Sequence, residues 1–203
     1  MSKSLLNLSP VIPVVVIDHV EDAVPVAQAL VAGGIPIIEL TLRTPVALSA
    51  IERIAGEVPE IYVGAGTIVD ADQAKRAAEA GAQFLVSPGS TPTLLSAMTD
   101  TGLPHLPGVS TVSEVLTAME SGYTELKFFP AEFAGGVDYL KAIRGPIPDA
   151  RFCPTGGITP ALAPRYLELP NVGCVGGSWI TPKDAVTSKN WARISELAAA
   201  AVA

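Results

Sequence analysis

The sequence predicts an α/β protein built as a compact, closed (β/α)8 barrel of the TIM type. Three observations carry that expectation. Short β-branched runs alternate with Ala- and Leu-rich helical stretches from end to end, a pattern that makes parallel strands with helical crossovers. Eight such units fit into 203 residues, near the lower size limit of the barrel. An open doubly wound sheet is disfavoured, because no Gly-x-Gly-x-x-Gly opens a first helix with an acidic residue about 20 positions later.

The strands read in order as Pro13–Ile17, Ile37–Thr41, Ile61–Ala65, Gln83–Ser87, Pro104–Val109, Glu125–Phe129, Arg151–Thr155 and Val172–Gly176. Helical periodicity marks Val20–Ala32, Pro45–Glu57, Ala71–Ala80, Thr93–Thr99, Thr111–Ser121, Val137–Ile143 and Pro160–Leu167 between them. Thr44-Pro45 and Thr159-Pro160 each set a candidate N-cap ahead of a proline at the first helical position. Gly33, Gly81 and Gly122 stand where helices should stop. Ser2–Leu8 reads as a short extra helix covering the N-terminal face of the barrel, and the Ala-rich stretch from Trp191 as a packing helix. No linker or low-complexity tract interrupts the chain, so 1–203 is read as one domain.

Composition narrows the function. Hydrophobic residues make up 49% and charged residues 16%, which leaves apolar surface and favours self-association. The formal net charge of −7, with no basic run, argues against nucleic acid as a partner. No apolar stretch approaches the roughly 18 residues that span a bilayer, so no membrane partner is expected. Met1 to Pro10 lacks the basic and apolar regions of a signal peptide. Cys153 and Cys174 have no CxxC spacing and read as reduced core residues of a cytoplasmic protein. No His, Cys, Asp or Glu grouping has metal-ligand spacing, so neither a metal nor a cofactor is expected.

Lys127 is the most informative residue. It stands in Glu125-Leu126-Lys127-Phe128-Phe129-Pro130, an apolar strand-like run. Burying an unpaired ammonium costs several kcal/mol, and a desolvated neutral amine is a nucleophile suited to Schiff-base formation. The plainer alternative is a lysine that snorkels from an edge strand. Strand alternation sends Glu125, Lys127 and Phe129 inward from the sixth strand and Ile37, Glu39, Thr41 and Arg43 inward from the second, while Ile38, Leu40 and Leu42 face helices. In the seventh strand Arg151, Cys153 and Thr155 share the inward face. Glu39 and Lys127 could simply neutralise one another. Arg43 adds a rigid fork of donors near a C-terminal strand end, where barrel active sites lie and where a substrate carboxylate would bind.

The seventh strand ends in Thr155-Gly156-Gly157-Ile158 and the eighth in Gly176-Gly177-Ser178-Trp179. Barrel enzymes commonly bind phosphate with the loops after these two strands, where glycines let backbone amides approach an oxyanion. The structural alternative is a pair of tight turns that need positive φ. Together these residues suit a substrate with a keto group, a carboxylate and a distal phosphate. Lysine turns the ketone into an iminium, and a base then allows a C–C bond to break to an enamine, with no metal.

At these residues the chain resembles the 2-keto-3-deoxy-6-phosphogluconate (KDPG) and 4-hydroxy-2-oxoglutarate aldolase family. The resemblance rests on Glu39-Leu40-Thr41-Leu42-Arg43-Thr44, Gly64-Ala65-Gly66-Thr67, Ser87-Pro88-Gly89, Lys127-Phe128-Phe129-Pro130-Ala131-Glu132, Cys153-Pro154-Thr155-Gly156-Gly157-Ile158 and Gly176-Gly177-Ser178-Trp179. It implies a class I aldolase of the Entner–Doudoroff pathway that releases pyruvate and glyceraldehyde 3-phosphate, usually as a homotrimer. It also implies roles: Lys127 forms the Schiff base and Glu39 is the general acid/base. Arg43 binds the carboxylate, with Thr67, Pro88, Phe129 and Thr155 lining the pyruvate pocket. Gly156, Gly157, Gly177 and Ser178 hold the phosphate. The phosphogalactonate epimer, 4-hydroxy-2-oxoglutarate and a non-catalytic phosphosugar-binding barrel are the alternatives. His105 reads as a barrel or rim residue and Trp179 as packing. Glu132 either touches substrate or caps the next helix.

Overall fold

Parallel pairing organises every named strand of the computed structural model of the chain, which describes residues 4–203. The strands are β1 (Val11–Val15), β2 (Ile37–Thr41), β3 (Tyr62–Gly66), β4 (Phe84–Val86), β5 (His105–Leu106), β6 (Gly108–Val109), β7 (Glu125–Phe128), β8 (Arg151–Pro154) and β9 (Val175–Gly177). They form one sheet in the order β5-β4-β3-β2-β1-β9 and a second in the order β6-β7-β8. The expected run Pro104–Val109 is divided into β5 and β6 at Pro107, which has no N–H to give to a ladder. Its carbonyl still accepts from the Lys127 amide at 2.9 Å. The other junction is made by isolated parallel bridges, Phe152 to Val172 and Thr155 to Gly176.

Two strand starts shift by more than one residue from expectation. β1 begins at Val11, and β9 begins at Val175. The residues from Val11 to Ile17 are apolar throughout, and such a run carries no alternation from which a register can be read. Pairing of Val11 with Val175 and Pro13 with Gly177 sets it.

The helices are α1 (Ala23–Ala32), α2 (Ala47–Glu57), α3 (Ala71–Glu79), α4 (Pro92–Asp100), α5 (Val112–Glu120), α6 (Gly136–Arg144), α7 (Ala163–Leu167), α8 (Lys183–Thr187) and α9 (Trp191–Val202). A 3₁₀ turn, Val20–Asp22, leads into α1. Both Thr-Pro caps are corrected. The Thr44 hydroxyl donates to the Ile17 carbonyl at 2.6 Å, and α2 starts later without a side-chain cap. Thr159 offers only its carbonyl, to the Leu162 and Ala163 amides, ahead of α7. The working caps are Asp70, Thr91, Thr111 and Asn190. Thr111 accepts from the Glu114 amide at 3.3 Å while the Glu114 carboxylate accepts from the Thr111 amide at 2.8 Å, a complete capping box.

The N-terminal segment closes the bottom of the strands, though Ser2 and Lys3 of its expected helix lie outside the described residues. Leu5–Asn7 forms a 3₁₀ turn with Leu5 and Leu6 buried. Ser4 donates to Glu125 at 2.5 Å, Arg151 pairs with Glu125 at 3.3 Å, and Asn7 accepts from Arg151 at 3.0 Å. α9 lies on α1, where a side chain on Gly33 would meet the Ala198 methyl at 2.4 Å. Cys153 and Cys174 are free thiols in the core. Among the described residues no helix is long and apolar enough to cross a membrane.

Removing one reciprocal cap should be measurable. Thr111→Ala is expected to lower the unfolding free energy by about 1 kcal/mol in denaturant titrations, and Thr159→Ala by clearly less. Equal losses would show that Thr159 caps after all.

Candidate active site

Glu39 on β2 and Lys127 on β7 come from different sheets, and their side chains meet across the interior. Lys127 Nζ lies 3.0 Å from Glu39 Oε1 and 3.5 Å from Oε2. The two side chains are 5% and 3% exposed. The Phe129 ring lies with its centroid 5.5 Å from the same Nζ. Room for the carboxylate comes from β3: a Cβ on Gly66 would stand 2.2 Å from Glu39 Oε1. Gly108, opposite Lys127 in the ladder, makes similar room for the Pro88 carbonyl.

The remaining candidates follow the strand ends. Because the strands are parallel, Arg43 after β2, Thr67 after β3, Pro88 after β4, Phe129 after β7, Thr155 after β8 and Ser178 after β9 all belong to one face, the C-terminal one. Arg43 lies in the turn beyond β2 rather than in the strand, so strand parity does not direct it as expected. It is exposed, and its Nε donates to Thr67 Oγ1 at 3.2 Å. Thr67 has φ 63°, a conformation that costs a β-branched residue about 1–3 kcal/mol and that marks functional sites more often than chance. No feature of the sequence signals it. Thr41 is buried and donates to the Val15 carbonyl at 3.0 Å, so it braces β2 against β1. Thr155 is buried against Gly176, whose missing side chain leaves space for the Thr155 hydroxyl.

The two glycine-rich ends differ. Gly156 and Gly157 have φ 101° and 81°, so that turn does need glycine. The Thr155 carbonyl accepts from the Ala131 amide at 2.8 Å and the Gly156 carbonyl from the Glu132 amide at 3.1 Å. In a trans peptide the N–H points opposite to the C=O. The Gly157 N–H is therefore turned away from the Ala131–Glu132 segment. Gly177 has no positive φ. It is a close-approach glycine, since a Cβ there would lie 1.9 Å from the Trp179 ring. Trp179 packs, as expected. Ser178 is exposed and borders a cavity of about 670 Å³ that Asp18, Asp22, Lys183 and Lys189 also line and that does not reach Lys127.

Glu132 has an unanticipated partner. Its Oε1 accepts from the phenol of Tyr166, a fully buried residue of α7. His105 stands apart from these groups, at the start of β5. Burial lowers its pKa despite the Leu103 carbonyl 3.3 Å from Nδ1, and its Nε2 has no partner among the described residues. Among the described residues no three His, Cys, Asp or Glu side chains are grouped as metal ligands.

Residues 3–197 match the family model "Aldolase: KDPG and KHG aldolase". The 2-dehydro-3-deoxy-phosphogluconate aldolase of Pseudoalteromonas atlantica is 52% identical over 202 residues, covering 100% of this chain and 94% of that protein. The KHG/KDPG aldolase of Escherichia coli K12 is 52% identical over 201 residues, covering 99% and 94%. The crystal structure of KDPG aldolase from Legionella pneumophila, with pyruvate captured at low pH as a covalent carbinolamine intermediate, superposes with a TM-score of 0.96 at 49% identity, covering 98% of this chain and 96% of that one. An inward lysine–carboxylate pair, a parallel α/β frame and likeness across nearly the whole length converge, and the chain belongs to the KDPG and KHG aldolase family.

Proposed function

We propose that the chain is a class I aldolase that cleaves 2-keto-3-deoxy-6-phosphogluconate to pyruvate and D-glyceraldehyde 3-phosphate. The observation that carries this reading is the Lys127–Glu39 pair, buried at 3.0 Å. The covalent pyruvate adduct of the Legionella relative supports the same chemistry. The name of the Escherichia coli relative supports 4-hydroxy-2-oxoglutarate as a second substrate. The phosphogalactonate and non-catalytic readings are not favoured, because the relatives that are 52% identical are named as phosphogluconate or KHG/KDPG aldolases.

In the proposed reaction Lys127 passes a proton to Glu39 and its free amine attacks the C2 carbonyl. Glu39 returns that proton to the carbinolamine hydroxyl, which departs as water and leaves a protonated imine beside the carboxylate. Glu39 then accepts the proton of the C4 hydroxyl, the C3–C4 bond breaks, and its electron pair moves into the iminium to form an enamine. Protonation at C3 and hydrolysis release pyruvate. The iminium is the electron sink, so the reaction calls for neither a metal nor an organic cofactor. Arg43, oriented through Thr67, receives the carboxylate, with Pro88, Phe129 and Thr155 around the pyruvyl group. The Gly156–Gly157 turn, Gly177 and Ser178 receive the phosphate.

Residues 1–203 are assigned to one domain closed as a (β/α)8 barrel. Continuity of β5 with β6 across Pro107 and the bridges from β8 to the β9 segment support closure. A homotrimer in the cytoplasm follows from the family resemblance, and Phe133, 85% exposed, supports a subunit contact.

Borohydride reduction with pyruvate, followed by peptide mass spectrometry, is expected to place a pyruvyl adduct on Lys127, and Lys127→Ala to abolish it. A folded wild-type protein that gives no adduct would return the chain to a phosphosugar-binding role. Ser178→Ala should raise KM roughly tenfold for the phosphorylated substrate and little for 4-hydroxy-2-oxoglutarate, since one neutral hydrogen bond to a charged oxygen is worth about 1.5–3 kcal/mol. Equal changes on both substrates would remove Ser178 from the phosphate site. Gly66→Ala, which pushes a methyl into the Glu39 carboxylate, is expected to reduce kcat at least on the order of a hundredfold, as small misplacements do. Unchanged kcat would show that the observed Glu39 position is not the working one.

A further inference from the structure

Glu132 poses a problem for an anion site. Its Cβ lies 2.8 Å from where a Cβ on Gly157 would be, so the side chain starts beside the turn assigned to phosphate. The residue is exposed and carries the charge that phosphate avoids. Its backbone is nevertheless required there, because the Glu132 amide holds the Gly156 carbonyl at 3.1 Å and so directs the Gly157 N–H away from it. What is free to vary is the direction of the carboxylate.

We infer that Tyr166 is a positioning residue for the phosphorylated substrate: its hydroxyl holds the Glu132 carboxylate against α7, turned off the phosphate end of the site. The inference rests on the phosphate assignment proposed above. Tyr166 is fully buried and its ring is fixed by the core, so its hydroxyl is a stationary donor. Burial first, and the Glu132 carboxylate second, raise its pKa far above the ordinary range, so the phenol stays protonated at any working pH. Gly136, at the start of α6, completes the berth. A Cβ there would lie 3.1 Å from the Tyr166 hydroxyl and 3.3 Å from Glu132 Oε1. Without the phenol, the carboxylate has rotamers that return it toward Gly157.

The consequence has a sign that a purely structural contact lacks. Tyr166→Phe is expected to raise KM for 2-keto-3-deoxy-6-phosphogluconate on the order of tenfold at low ionic strength, and by less as salt screens the carboxylate. It should leave kcat and the KM for 4-hydroxy-2-oxoglutarate nearly as they were. Adding Glu132→Gln to Tyr166→Phe removes the stray charge and should bring KM for the phosphorylated substrate most of the way back. Thermal melting of each variant separates these effects from loss of fold. The inference is overturned if Tyr166→Phe alters both substrates alike, or if the double variant recovers nothing. Ser178→Ala, run beside them, separates the two levels. Substrate discrimination lost in Ser178→Ala but not in Tyr166→Phe sinks the Tyr166 role alone. Equal KM changes on both substrates in Ser178→Ala sink the phosphate assignment itself.

Discussion

The interior of this fold is organised around one buried ion pair. Taking an amine and a carboxylate out of water costs several kcal/mol for each, and only close, well-aligned contact recovers it. Lys127 and Glu39 meet that requirement at 3.0 Å. Removing either partner would strand a buried charge, at a cost of roughly 3–5 kcal/mol. The pair therefore ties β2 to β7 across the two sheets, and those strands cannot shift register independently. The same contact offers a route to a free nucleophile. Moving one proton along the hydrogen bond from Nζ to Oε1 leaves two neutral groups, one of them the free amine that the proposed attack needs. The interaction that restrains the fold is thus also the first proton transfer of the proposed reaction.

Space around that pair is allocated by glycine. Gly66 yields to the Glu39 carboxylate, Gly64 to the Phe84 ring, Gly176 to the Thr155 hydroxyl and Gly177 to Trp179. Strand glycines weaken a sheet, because they add entropy to the unfolded chain and pack nothing themselves. Here each is matched by a larger neighbour that fills the vacated volume, reached from the adjacent strand or strand end at Gly64, Gly66 and Gly176 and from two residues further along the chain at Gly177. That lets Glu39 lie across β3 and lets Thr155 stay buried beside the strand end. A core built only for density would place a branched aliphatic at each of these positions.

Much of this was legible in the sequence, and the unread part has physical causes. Lys127 and Glu39 stand out because each is charged inside an apolar alternating run, where parity and chemistry agree. The alternation of strand and helix is equally plain. Register within Val11 to Ile17 was not, since every residue is apolar and either face could be inward. Thr44 and Thr159 look like caps by local rule, but tertiary contact overrides the rule when the Ile17 carbonyl takes the Thr44 hydroxyl. The left-handed Thr67 and the Glu132–Tyr166 contact leave no local trace at all. The first is a backbone angle on an unexceptional residue. The second joins residues 34 apart in sequence, each ordinary in its own element.

Burial changes systematically across the site, and the change matches the chemistry proposed for each end. Lys127, Glu39 and Thr155 are buried, Phe129 and Pro88 are half-buried, and Arg43, Gly157 and Ser178 are exposed. A proton transfer and a C–C cleavage gain from fixed partners in a low dielectric, where each electrostatic contact is worth more and no solvent must reorganise. A phosphate brings about two charges that would be expensive to dehydrate fully, so an open cradle of amides and a hydroxyl suits it better than a sealed pocket. Openness has its own cost, because any mobile carboxylate nearby can compete for the same donors or repel the same charge. Among the residues assigned to the site, the exposed ones, Arg43, Gly157 and Ser178, are neutral or cationic, and Asp18 beyond β1 pairs with Lys183 at 3.4 Å. The one acidic exception beside the glycine turn, Glu132, is held by a buried phenol.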